Sequence, residues 1–150
     1  MTKDHVIPGA LPTIEKYITA LKTADTLTME AMRTSDFVLD WVHADAFQNS
    51  PLTRQETNLF WPAWFRGFPD MDYEVNRTIA AETVVVVQWV FTGTHAGILG
   101  RPIFDPPLSA TGKTIQLRGI SVFDFQDQLI QRETMYIDLA TLWVELGVKE

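Results

Sequence analysis

The chain has 150 residues, a formal charge of −7 and no cysteine; 46% of it is hydrophobic and 21% charged. That length and balance suit one folded domain with a substantial core and argue against disorder. An acidic chain without basic clusters disfavours nucleic acid and anionic membranes as partners, and the missing thiols remove disulfides, thiolate catalysis and cysteine-based metal sites.

Pro12 to Ala24 reads as an amphipathic helix, with Ile14, Tyr17, Ile18 and Leu21 on one face. Thr28 to Arg33 reads as a second short helix. Asp36 to His43 is rich in β-branched and aromatic residues and reads as the first strand. A third helix is expected from Thr53 to Arg66. Thr53 and Glu56 have the spacing of a capping box, and Pro62 is expected to restart or kink the helix. Gly67-Phe68-Pro69-Asp70 is a stop and turn.

From Met71 the pattern becomes β. Strands are expected at Tyr73–Ala80, Val84–His95, Thr114–Phe125 and Leu129–Ile137, with a loop over Gly97–Pro107 and a hairpin turn at Asp127-Gln128. Asp138 to Leu146 reads as a closing helix, capped by Asp138 and stopped by Gly147. Helices first and strands after imply an α+β fold with one bent antiparallel sheet wrapped over helices. Met1-Thr-Lys-Asp-His lacks an apolar leader core and no apolar run is long enough to cross a bilayer, so a cytoplasmic protein is the expectation.

Several landmarks occur in order: Phe68-Pro-Asp70, Gly93-Thr-His-Ala-Gly97, Pro107 through Thr111-Gly-Lys113, Glu133 with Tyr136 and Asp138-Leu, and Glu145-Leu-Gly147. Together they resemble the SnoaL-like branch of the nuclear transport factor 2-like superfamily, which includes polyketide and ester cyclases. The segment Lys16 to Asp25 also resembles the first helix of ketosteroid isomerases. The resemblance implies a cone-shaped α+β barrel around an apolar pocket, and a homodimer formed through the sheet. It does not fix function, because this fold hosts cyclases, isomerases, dehydratases, epoxide hydrolases and binding proteins.

Aligned with the polyketide cyclases, the catalytic aspartate falls on Met135 and the neighbouring strand histidine on Ser121. The arginine and aspartate of limonene-epoxide-hydrolase-like enzymes fall on Trp89 and Phe91. Neither mechanism carries over, since Met135 exchanges no proton. The same register expects Trp89, Phe91, Gly119, Ser121, Phe123, Glu133, Met135 and Ile137 to face inward, either as plain core or as the wall of a ligand cavity.

Four residues are candidates for chemistry. Glu133, if inward, is a carboxyl in an apolar wall, with a raised pKa suited to acid–base work; otherwise it pairs with Arg118 or Arg132, or a shifted register leaves it outside. Tyr17 aligns with the isomerase tyrosine that polarises a carbonyl, or is simply a core phenol. Trp41 occupies the position of the isomerase base, with Asp40 beside it. A one-residue slip would turn Asp40 inward as the base. His43 ends the first strand near the expected cavity mouth. Trp41, Trp64, Trp89, Phe91, His95, Ser121, Phe123 and Met135 are the expected substrate-binding residues. His95 belongs to the Gly-Thr-His-Ala-Gly segment and either stabilises the bend or lines the entrance; His5 lies near the amino terminus. No two histidines are spaced for a metal, and no phosphate loop or dinucleotide fingerprint occurs, so neither metal nor cofactor is expected.

Two functions follow. One is a cofactor-free cyclase or isomerase acting on a small hydrophobic carbonyl compound by proton transfer. The other is a non-catalytic binding or accessory protein with the same cavity.

Overall fold

The computed structural model describes residues 10–43 and 46–148; His5 lies outside them. Helix α1 (Ala10–Lys22) buries Ile14, Tyr17 and Leu21 on one face, as its spacing predicts. Helix α2 (Thr26–Ala31) has the expected six residues but lies two positions earlier in the chain. Asp25 caps it by accepting from the Thr28 amide, and the chain becomes strand β1 (Arg33–Val42) at Arg33. Arg33 therefore opens a strand rather than closing a helix.

A two-residue strand β2 (Leu52–Thr53) leads into helix α3 (Arg54–Gly67), whose capping box is complete. The Thr53 side chain accepts from the Glu56 amide, and the Glu56 carboxylate accepts from the Thr53 amide. α3 runs through Pro62 as one helix. Strands β3 (Asp72–Ala80), β4 (Val84–Thr94), β5 (Thr114–Gln126) and β6 (Leu129–Ile137) form an antiparallel meander. Asp127 and Gln128 have φ of 51° and 69°, so this tight turn joins β5 to β6 through two left-handed residues. Helix α4 (Leu139–Leu146) begins at Asp138, which accepts from the Thr141 amide, and ends at the left-handed Gly147.

The six strands make one curved sheet in the order β2-β1-β6-β5-β4-β3. One junction departs from the antiparallel expectation: β1 and β6 pair in parallel, with Leu39 opposite Glu133 and Trp41 opposite Met135. Alternation then decides what enters the core. Phe37, Leu39 and Trp41 face inward from β1, Val85, Val87, Trp89 and Phe91 from β4, and Ser121 and Phe123 from β5. Glu133 and Met135 face inward from β6. Leu99 and Leu108 bridge within the segment between β4 and β5, and Phe104 of that segment packs edge-on against Trp143 of α4. Among the described residues, no helix is long and apolar enough to cross a membrane.

Candidate active site

A layer of aromatic side chains lies between α3 and the concave face of the sheet. Trp64 meets Phe91 at 5.0 Å between centroids, and Tyr73 stacks on Trp89 at 5.3 Å. The Trp89 indole lies over Gly119. A β-carbon there would stand 2.4 Å from Trp89 Cζ2 and 2.6 Å from the Tyr136 carbonyl oxygen, so the absent side chain makes room for the ring. Phe60, Trp61, Trp64, Tyr73, Trp89, Phe91 and Met135 line a narrow cavity with Met71 and Ile137. Its volume is about 20 Å³, enough for about one water molecule.

Beyond Trp89 and Tyr73 the interior turns polar. Trp89 Nε1 donates to Ser121 Oγ at 3.1 Å, and Ser121 Oγ donates to Glu133 Oε2 at 3.0 Å. Glu133 is 2% exposed, and its other oxygen, Oε1, is buried without a hydrogen-bond partner. Burial pushes this carboxyl up to about 7, against the opposing effects of the Ser121 hydrogen bond and the Arg33 charge. Neither Arg118 nor Arg132 pairs with it. Arg132 binds Asp40 instead, and the parallel strand pairing puts Leu39 beside Glu133.

Tyr17 reaches the same region from α1. Its ring meets Phe123 edge-on at 5.8 Å, and Phe123 is the ladder partner of Glu133. Its hydroxyl accepts from Arg33 Nη2 at 2.8 Å and from Arg33 Nε at 3.2 Å. Burial pushes the Tyr17 phenol up to about 12; Arg33 acts against this and the Glu133 charge adds to it. Burial also raises Tyr73 well above the ordinary tyrosine range, with further contributions from Glu133 and Tyr17. Both phenols are therefore hydrogen-bond donors at neutral pH.

The fold does not bring the other candidates here. Asp40 is on the outer face of the sheet, 2.5 Å from Arg132 Nη2, because Trp41 takes the inward position. The slip that would have made Asp40 a base does not occur. His43 is half-buried at the end of β1. Its ring stacks on Trp41 at 4.0 Å and its Nδ1 donates to the Trp41 carbonyl at 2.7 Å. It lies four residues beyond Leu39, the neighbour of Glu133, or about 13 Å along a strand. His95 is buried beside Phe68, and its Nδ1 accepts from the Thr111 amide at 3.2 Å. Burial lowers its pKa, so it holds the return of the loop as a neutral ring, away from the cavity. Trp64, Trp89, Phe91 and Met135 border the cavity; Trp41 and Phe123 are buried without lining it.

Arg33 and Tyr73 were missed as site residues. Tyr73 carried a usable signal, since it is the first aromatic of a strand whose neighbour carries Trp89. Arg33 carried none, because the alternation running back from Trp41 through Leu39 and Phe37 is broken before it: Ser35 and Asp36 are exposed, Arg33 and Thr34 are both buried, and the pairing is irregular between Arg33 and Val38. Among the described residues, no group of three or more histidine or acidic side chains is arranged to hold a metal.

A curved, unclosed six-strand sheet set against four helices is a cone-shaped α+β fold, here with a buried carboxyl behind an aromatic layer. The model of the SnoaL-like polyketide cyclase family matches residues 13–146, and the chain belongs to that family. A SnoaL-like protein from Jannaschia sp. CCS1, suggested to be a polyketide cyclase, superposes with a TM-score of 0.76 at 16% identity, covering 99% of this chain and 100% of that one. IdmH from Streptomyces antibioticus, for which a polyketide cyclase role has been suggested, gives 0.72 at 22% identity over 96% and 100%. AclR from Streptomyces galilaeus, suggested to be a hydroxylase, gives 0.75 at 18% identity over 91% and 79%. At these identities the likeness concerns the fold. A sequence search of curated proteins finds no match.

Proposed function

We propose that the protein is a cofactor-free acid–base enzyme of the cyclase or isomerase type, acting on a small, flat, apolar carbonyl compound. The observation that carries this reading is the Glu133 carboxyl. One oxygen is anchored by the Trp89–Ser121 relay and the other is buried and uncommitted, in a protein of the cyclase family. A carboxyl with a pKa near neutrality is charged often enough to take a proton and neutral often enough to return it. Glu133 removes a proton from the carbon next to the carbonyl, and the electron pair moves onto the carbonyl oxygen. Tyr17 or Tyr73 donates a hydrogen bond to that oxygen. Glu133 then delivers the proton to another carbon, or the enolate carbon attacks a second carbonyl to close a ring, the first carbonyl re-forms, and Glu133 gives its proton to the alkoxide produced.

The familiar acid of the family falls on Met135, and Glu133 is the previous inward residue of the same strand. That difference of two residues moves the acid about 7 Å along β6. A substrate ring needs hundreds of cubic ångströms rather than the present 20 Å³, so its admission requires the aromatic side chains of α3 to swing aside. The small cavity favours the second reading, a binding or accessory protein, if those side chains do not move.

The discriminating assay is proton exchange in deuterated water with a panel of planar polycyclic ketones and β-keto esters. The wild type accelerates exchange at the carbon next to the carbonyl, and Glu133→Gln loses about 100-fold or more of that acceleration. Equal rates for the two proteins would overturn the catalytic reading.

A further inference from the structure

Arg33 is 4% exposed and is the one buried lysine or arginine among the described residues. The ion pairs among those residues are Arg101–Asp105 and Arg132–Asp40, so Arg33 has no carboxylate at pairing distance there. Its guanidinium is held instead by neutral groups. Nε and Nη2 fork onto the Tyr17 oxygen, Nη1 donates to Asn58 Oδ1 at 3.4 Å, and the guanidinium carbon lies 5.1 Å from the Phe37 ring centre. A buried charge supported only by dipoles and an aromatic face is costly unless an opposite charge lies nearby. The buried acid in the same core is Glu133, which has no ion pair of its own.

We propose that Arg33 is a positioning residue for the Glu133 site, fixing the Tyr17 hydroxyl and supplying the positive charge against which the Glu133 carboxyl ionises. The proposal rests on the reading of Glu133 as the acid–base group. Two guanidinium N–H groups occupy the lone pairs of the Tyr17 oxygen, so its own O–H points away from Arg33. That proton and Glu133 Oε1 are two unspent hydrogen-bonding valences in one dry interior. Arginine keeps its proton, so the electrostatic adjustment falls on the carboxyl. The other titratable groups facing Glu133 are Tyr17 and Tyr73, and burial keeps both protonated. Desolvation raises the Glu133 carboxyl while Ser121 and Arg33 oppose it, so loss of the Arg33 charge shifts the carboxyl further upward.

The test is a substrate-free titration of the full chain labelled with carboxyl-¹³C glutamate, with the Glu133 resonance assigned by its loss in Glu133→Gln. In Arg33→Met the midpoint rises by about one pH unit or more, a roughly tenfold gain in proton affinity, whereas Arg33→Lys stays close to the wild type. An unchanged midpoint in folded Arg33→Met would overturn the proposal. If Arg33→Met does not fold, Arg33→Met combined with Glu133→Gln decides. Recovery of folding in the double variant supports the charge coupling, and failure alongside a folded Glu133→Gln shows a packing role only and overturns it. Because no substrate is present, the outcome is separate from that of the proton-exchange assay.

Discussion

Replacing Glu133 by Gln removes one titration from the core and changes how stability depends on pH. In the folded protein burial pushes this carboxyl up to about 7, against 4.5 for an unperturbed one. Between those values the folded state binds a proton that the unfolded chain does not. Stability from this group is therefore fully present below pH 4.5 and is lost as pH rises through about 7. At about 1.4 kcal/mol per pH unit, the gap corresponds to about 3 kcal/mol across the window. Gln does not titrate, so the difference in unfolding free energy between wild type and Glu133→Gln carries this dependence. The exposed aspartates with lowered pKa, Asp25, Asp36, Asp70 and Asp138, are common to both proteins and cancel. Urea unfolding at a series of pH values from about 4 to 8 reads it directly. The wild type loses about 3 kcal/mol relative to the variant as pH rises. A difference that is flat with pH, or that changes in the opposite direction, would refute the buried-acid reasoning.

Two further substitutions test the geometry around this group. Gly119→Ala places a β-carbon within 2.4 Å of the Trp89 indole, and the ring must leave its seat. A loss of about 1–3 kcal/mol in urea unfolding is expected, with a changed near-ultraviolet circular dichroism signal from the displaced indole. Asp40→Asn breaks the partly exposed pair with Arg132 on the outer face of the sheet. Stability should fall by less than about 1 kcal/mol, less still in high salt, with proton exchange at wild-type rate.

Most of the scaffold was legible because local rules agreed. The Thr53–Glu56 box, the left-handed pair Asp127-Gln128 and the stop at Gly147 each specify their own stretch of backbone. The inward set on β4, β5 and β6 followed from alternation once the register was set. The candidate site was legible in half. Glu133, Tyr17, Ser121 and Trp89 converge, but the partner that charges the site was hidden. An arginine between a helix and a strand reads as a solvated helix end, since arginine is rarely buried. The parallel pairing of β1 with β6, a contact across about 90 residues of chain, sets the strand of Arg33 beside that of Glu133, and Tyr17 joins Arg33 from α1. Nothing local to any of the three residues encodes that meeting. Asp40 misled for a related reason, because one step of register separates the core from the outer face.

The parallel junction also sets an order on folding during synthesis. β1 has only the two-residue β2 on one side, and its other neighbour, β6, is translated about 90 residues later. Until residues 129–137 clear the ribosome, Phe37, Leu39 and Trp41 lack the sheet partner that shelters them. Strand β1 must therefore wait, with a sticky face uncovered, for the β5–β6 hairpin to arrive. That interval is where chaperone demand and self-association concentrate.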